Sequence, residues 1–340
     1  MSPYLPQQHA YNDYQPSQAY YAFATHAGCP PTWAYGNSTR TIFECLVSKD
    51  THTLQAAASA VSSSGLYGTW AFTPVTDGTL IQSLPSTALS TGSLNGMNHL
   101  TSNTAEESFA FVPQTISNPD ALQSYLDVLF PSFTSADFTS LFATYPLPKT
   151  SLPRFATSGR DGASSLQTSP TASGIQQLAN LIFAESTFIC PSYWLAAAYS
   201  SMEGKRGYKL QYSVPIALHG YDGITVFGNQ RLPNQGADFV SKIQRLIGTF
   251  VVKGEVEGLG MFSAKEGWKM LNLNTTGGME ERVDSTLDVA VNELGGVWHV
   301  EPGLKAKFED VDGWAWERSR GGEMCVLEED RGESSDVNEG

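Results

Sequence analysis

Apolar residues recur at helical spacing along much of the chain. Gln15 to Thr25 and Gln55 to Ser64 carry that spacing with abundant alanine, and each predicts a short helix. Between Asn118 and Tyr145, Leu122, Tyr125, Leu126, Leu129 and Phe130 fall on one helical face. The run Ser132-Phe133-Thr134-Ser135-Ala136-Asp137 then predicts an N-cap opening a second helix. Ile175 to Glu185 and Trp194 to Met202 predict apolar helices, and Phe239 to Phe250 another. Alternating aromatic and β-branched residues predict a strand over Thr69 to Val75, turned by Asp77-Gly78, and a second strand over Tyr208 to Val214. Residues 149–170, rich in Ser, Thr, Pro and Gly, predict a surface loop. From Asp284 onward, Trp298, Trp314 and Trp316 stand among glycines and acids, predicting an irregular extension that passes into disorder after Glu328.

Composition narrows the function classes. With 41% hydrophobic residues, 17 Phe and 7 Trp, the chain has ample material for a packed core. Its net charge is −14, and Glu301 to Gly340 alone supplies −7, from 12 acidic and 5 basic residues. So acidic a chain repels phosphate backbones, which argues against a nucleic-acid partner. No run of residues reaches the roughly 18 consecutive apolar positions of a membrane span. Met1-Ser2-Pro3-Tyr4-Leu5-Pro6-Gln7-Gln8 lacks the basic start and apolar middle of a signal peptide. No H-E-x-x-H, C-x-x-C pair or calcium loop occurs, so the sequence offers no metal site and calls for no cofactor.

Two stretches carry chemistry. In the first, Ser102-Asn103-Thr104-Ala105-Glu106-Glu107-Ser108-Phe109-Ala110-Phe111-Val112-Pro113, an acidic pair sits between a polar turn and an aromatic run. In the second, Ser213-Val214-Pro215-Ile216-Ala217-Leu218-His219-Gly220-Tyr221-Asp222-Gly223, a histidine lies in a loop just after a predicted strand. In this order they resemble the acid and base segments of the type-B carboxylesterase/lipase family, whose chains run Ser, then Glu or Asp, then His.

Other stretches extend the resemblance, which points to the fungal branch of the family. Pro3-Tyr4-Leu5-Pro6 through Ala27-Gly28-Cys29 looks like the segment after the nucleophile, and Thr73-Pro74-Val75-Thr76-Asp77-Gly78 like the P-V-x-D-G stretch. Phe188-Ile189-Cys190-Pro191 looks like the F-x-C-P segment ahead of a helix, and Trp268 to Asn274 like the near-C-terminal strand. The resemblance implies an α/β fold, part of an α/β-hydrolase: the C-terminal portion of a mostly parallel sheet flanked by helices over residues 1–283. An acidic extension follows over 284–340.

For the site, the resemblance implies Glu107 as acid, registered on Phe111-Val112-Pro113, with Ser108 where the family usually has Gly. Registering on the polar turn gives Glu106 instead, and without the family match both glutamates read as exposed charges at a helix start. His219 is implied as the base. The acid would fix the histidine tautomer and stabilise the imidazolium formed during attack. His9, His26, His52, His99 and His299 have no such context. The nucleophile is missing: no G-x-S-x-G pentapeptide occurs between Met1 and Gly340, and Gly332-Glu333-Ser334-Ser335-Asp336 lacks the closing Gly and a preceding apolar strand.

Cys29 and Cys45 flank a Pro/Gly/Ser-rich loop and resemble the family's loop disulfide, which implies an oxidising compartment. Asn37-Ser38-Thr39 and Asn274-Thr275-Thr276 are glycosylation sequons that fit secretion. Cys190 reads as a buried small residue, and Cys325 has no evident partner. The expected function is part of a carboxylic ester hydrolase acting on small-molecule or lipid esters, with acid and base but without the nucleophile and inactive alone. The alternatives are a non-catalytic, cholinesterase-like binding module and an unrelated α/β protein.

Overall fold

A computed structural model describes residues 1–5, 8–34, 39–131, 133–145, 147, 171–212, 217–228, 237–256, 286–292, 295–301, 305–307 and 326–328. The described sheet begins with a parallel strand pair, β1 (Asn98–Thr104) and β2 (Arg206–Tyr212), in register from Asn98 opposite Arg206 to Thr104 opposite Tyr212. Strand β3 (Thr286–Asn292) pairs parallel with β2, and β4 (Gly295–Glu301) antiparallel with β3, giving the order β1-β2-β3-β4. A separate short pair joins β5 (Lys305–Lys307) and β6 (Val326–Glu328). Strands therefore stand at 286–292, 295–301, 305–307 and 326–328, where the tryptophan-bearing stretch predicts irregular structure.

Strand β2 is buried on both faces, as a central parallel strand must be. Tyr208, Leu210 and Tyr212 pack into one hydrophobic cluster with Ile243 and Leu246 of the helix Ala237–Lys253. The opposite face meets the helix Cys190–Ser200, where Lys209 lies over the Tyr193 ring at 4.5 Å. Strand β1 offers that face Asn103, which accepts hydrogen bonds from Ser192 Oγ at 3.2 Å and from Lys209 Nζ. The sequence Asn-His-Leu-Thr-Ser-Asn-Thr holds one large apolar residue, so no hydrophobic alternation announces a strand. What reads as a polar turn at Ser102-Asn103-Thr104 is the buried end of β1.

Residues Gly174–Ser200 form one helical column: α-helix Gly174–Ala184, a π turn Glu185–Ile189, and α-helix Cys190–Ser200. Pro191 accounts for the irregularity. It has no N–H to give the carbonyl four residues back, Thr187, and that oxygen instead accepts the Leu5 N–H at 3.0 Å. By length and composition the column could cross a membrane, but 78% of its most apolar window is buried inside the fold. It packs with helices Pro119–Leu129 and Ser135–Thr144 around Leu122, Leu126, Leu141, Ile182 and Phe183. The cap of the second of these is Thr134, which accepts from the Asp137 N–H while Asp137 accepts from the Thr134 N–H, a reciprocal capping box.

At the front of the chain, the helix Tyr14–His26 packs with Thr51–Ser64 around Ala24, Cys29, Ile42, Cys45 and Ala57. Cys29 and Cys45 are joined in a disulfide, with Cα atoms 5.8 Å apart, between the end of the first helix and Ile42–Val47. A loop of this size is worth about 3 kcal/mol in the chain-entropy model. The predicted strand over Thr69 to Val75 does not form. A bridge to Ala10 forms only at Thr76, just beyond it, and Trp70 and Phe72 are instead half-exposed rings in aromatic contacts. The Asp77-Gly78 turn does form, with Asp77 Oδ1 accepting the N–H groups of Thr79 and Ile81. The loop at 149–170, the disorder expected after Glu328, the strand-like stretch Trp268 to Asn274, Cys325 and Ser334 lie outside the described residues.

Candidate active site

Parallel pairing puts the C-terminal ends of β1 and β2 at one edge, and both chemical segments leave from there, where open α/β sheets commonly hold their sites. The pairing continues past the strands. Ala105 N–H donates to Tyr212 O at 3.0 Å, Glu106 N–H to Ala217 O at 3.0 Å, and His219 N–H to Glu106 O at 3.2 Å. This backbone stitching holds the two loops at fixed separation.

The result is a hydrogen bond of 2.5 Å between His219 Nδ1 and Glu107 Oε2. The other oxygen, Oε1, accepts from the Ser2 hydroxyl at 2.7 Å and from the Thr104 N–H at 2.6 Å. The Glu107 side chain is 0% exposed and that of His219 32%, so the carboxylate is sealed while the imidazole still meets solvent. Glu106 points elsewhere and accepts from Thr171 Oγ1 at 3.3 Å. Both glutamates are buried, which corrects the reading of exposed helix-start charges and separates the two registers: Glu107 is the one that meets His219.

The hydrogen bond to Glu107 raises the His219 pKa above the ordinary imidazole value. Burial opposes this, and the charges of Glu107 and Asp222 add to it. Asp222 is itself raised, first by burial and then by the Glu107 charge, while its Oδ2 accepts from Ser102 Oγ at 3.1 Å. The His219 ring sits in an aromatic corner, edge-on to Phe111 at 5.0 Å and tilted against Phe188 at 4.8 Å. Behind them, Tyr4 touches Phe188 and Trp70, and Trp70 touches Phe111. Burial raises the Tyr4 hydroxyl far above the usual phenol value.

Two non-glycine residues flanking the pair, Ser2 and Ala217, have left-handed backbones at φ 42° and 47°. Such strain persists where surrounding bonds hold it, and it concentrates at functional sites. Gly220, at φ 86°, lets the chain turn at once into the helix Tyr221–Phe227. Sequence reasoning singles out Glu107 and His219 but misses Ser2, whose partner lies 105 positions away and which no local pattern marks. Among the described residues no serine hydroxyl hydrogen-bonds His219.

Known proteins resemble the chain in sequence and in backbone. A family model described as the carboxylesterase family matches residues 1–289. The chain is 30% identical over 210 residues to the carboxylesterase patB of Aspergillus clavatus, an overlap of 61% of this chain and 34% of that protein. Its backbone is similar to the crystal structure of Aspergillus niger EstA, with a TM-score of 0.62 at 18% identity, covering 88% of this chain and 55% of that one. The chain thus spans about a third of the length of the first relative and about half that of the second. The fold is of the α/β-hydrolase type, and the chain belongs to the carboxylesterase family.

Proposed function

We propose that Glu107 and His219 are the acid and base of a serine ester hydrolase acting on carboxylic esters. The observation that carries this reading is the 2.5 Å bond between a sealed carboxylate and a half-open imidazole. With Nδ1–H donated to Glu107, Nε2 keeps its lone pair and can take the proton of an attacking hydroxyl. Glu107 then stabilises the imidazolium, and the same proton passes to the departing alkoxide. The raised histidine pKa favours that charged intermediate.

In the same reading the serine and the oxyanion donors come from outside these 340 residues, since no G-x-S-x-G elbow is among them. Without them the barrier loses nucleophilic attack and roughly 3 kcal/mol of stabilisation for each oxyanion donor. Residues 1–283 supply hydrolase structure, and 284–340 an acidic extension whose first strands lengthen the sheet. The disulfide fits an oxidising compartment. A binding module would have no use for a carboxylate whose two oxygens accept three donors, one of them the imidazole.

Incubation of the chain with a serine-directed phosphonate tests where the nucleophile lies. The expected mass spectrum shows no adduct, and the chain shows no burst with a p-nitrophenyl ester. Stoichiometric labelling would overturn the placement of the nucleophile outside this stretch.

A further inference from the structure

We infer that Glu185 is a positioning residue for His219, acting through the π turn that it opens and the Phe188 ring which that turn carries. The inference rests on the reading of His219 as the base, and it names a residue far in sequence from both chemical segments.

Glu185 is fixed at two points. Its carbonyl accepts the Cys190 N–H, the bond that spans the π turn, and its carboxyl takes a hydrogen bond from the hydroxyl of Tyr145, the C-cap of the helix Ser135–Thr144. The turn is also held from outside by the Leu5 N–H on Thr187 O. Between these anchors stands Phe188, with its ring 4.8 Å from the His219 ring and 5.5 Å from that of Phe111. A π turn inserts one residue into a helix. Its collapse to regular α-helix would therefore rotate Phe188 by roughly 100° about the column and take it off the imidazole.

Glu185 is only 3% exposed and forms no ion pair among the described residues. Burial pushes its pKa up to about 8, against the weaker lowering by the Tyr145 hydrogen bond. Of the titratable groups on the described elements packed nearby, Tyr145 bonds the carboxyl directly, and the Tyr125 hydroxyl is buried on Pro119–Leu129, the helix that also carries the exposed Asp120 and Asp127. Asp137 caps Ser135–Thr144, Cys190 opens the following helix, and Tyr4 and His219 both touch Phe188. No charged side chain among the described residues adds to the shift. At neutral pH the group is an uncharged tether.

The sign follows from the raised value. Between the ordinary carboxyl pKa and about 8 the folded chain holds a proton that the unfolded chain has released, so stability falls as pH rises through that window. Above about 8 a buried anion replaces the neutral group: the Tyr145 bond favours that anion while burial opposes it, and the electrostatic environment of the Phe188 turn and of His219 changes.

The test is NMR titration of the His219 ring protons in the intact chain, assigned by loss of the signal in His219→Asn, with wild type compared with Glu185→Gln and Glu185→Ala. Wild type should show a second inflection near pH 8 in addition to the histidine's own. Glu185→Gln, a neutral isostere that can still accept from Tyr145, should keep the upfield displacement caused by Phe188 and lose that inflection. Glu185→Ala should lose the displacement. If Glu185→Ala does not fold, the wild-type and Gln profiles decide alone. Identical wild-type and Gln profiles, or an Ala variant with a lowered melting point but an unchanged His219 signal, would reduce Glu185 to a structural residue. This readout needs no nucleophile, so it can fail while the acid–base reading stands, and the phosphonate result does not bear on it.

Discussion

The two oxygens of Glu107 divide the labour at the site. Oε2 faces His219, while Oε1 is committed to Ser2 and Thr104 and prevents the carboxyl from swinging away. Replacing Glu107 by Gln keeps the shape and removes the charge that helps raise His219. The His219 midpoint, followed by NMR, should fall in Glu107→Gln, and an unchanged midpoint would show that the pair is not electrostatically coupled. Because the folded pKa is raised, the pair's contribution to stability is complete below the ordinary imidazole value and fades as pH rises through the folded one. At this scale the sequence was informative for Glu107 and His219, which sit in extended local patterns. It was silent on Ser2, and of its two registers the one on Phe111-Val112-Pro113 gives the glutamate that bonds His219, while Glu106 turns to Thr171.

Close packing of elements, rather than propensity, sets the position of the loops. Gly207 on β2 lies against the helix Cys190–Ser200 so tightly that a Cβ there would stand 1.9 Å from Ala196 O and 2.7 Å from Ser200 Oγ. Gly207→Ala must push the helix off the strand, at a cost of about 1–3 kcal/mol by analogy with overpacked cores. A thermal midpoint lower by several degrees is expected, and an unchanged one would show that helix and strand can separate without penalty. Helices were the most legible elements, because their apolar faces repeat clearly in Pro119–Leu129 and Gly174–Ala184. Strand β1 was illegible because its buried side chains are polar: Ser102 donates to Asp222, and Asn103 accepts from Ser192 and Lys209. The stretch Thr69 to Val75 misled in the opposite sense: aromatic rings alternate there because they line the corner around Phe111 and Phe23, not because the backbone pairs.

For the whole molecule, the first residues act as a staple across the sheet edge that carries Glu107 and His219. Ser2 N–H donates to Ser102 O at 2.6 Å on the outer side of β1, the Ser2 hydroxyl reaches Glu107, and Leu5 holds the π turn. Glu107, His219 and the aromatic corner are thus tied to Met1–Leu5. The most direct measurement is to join a family segment bearing a G-x-S-x-G elbow and its glycine-rich oxyanion loop ahead of Met1, then assay hydrolysis of a short p-nitrophenyl ester. Hydrolysis should appear in the joined chain, be abolished by His219→Ala and be reduced by a smaller factor in Glu107→Gln. A joined chain that hydrolyses the ester equally well with His219→Ala would contradict the assignment of His219 as the base.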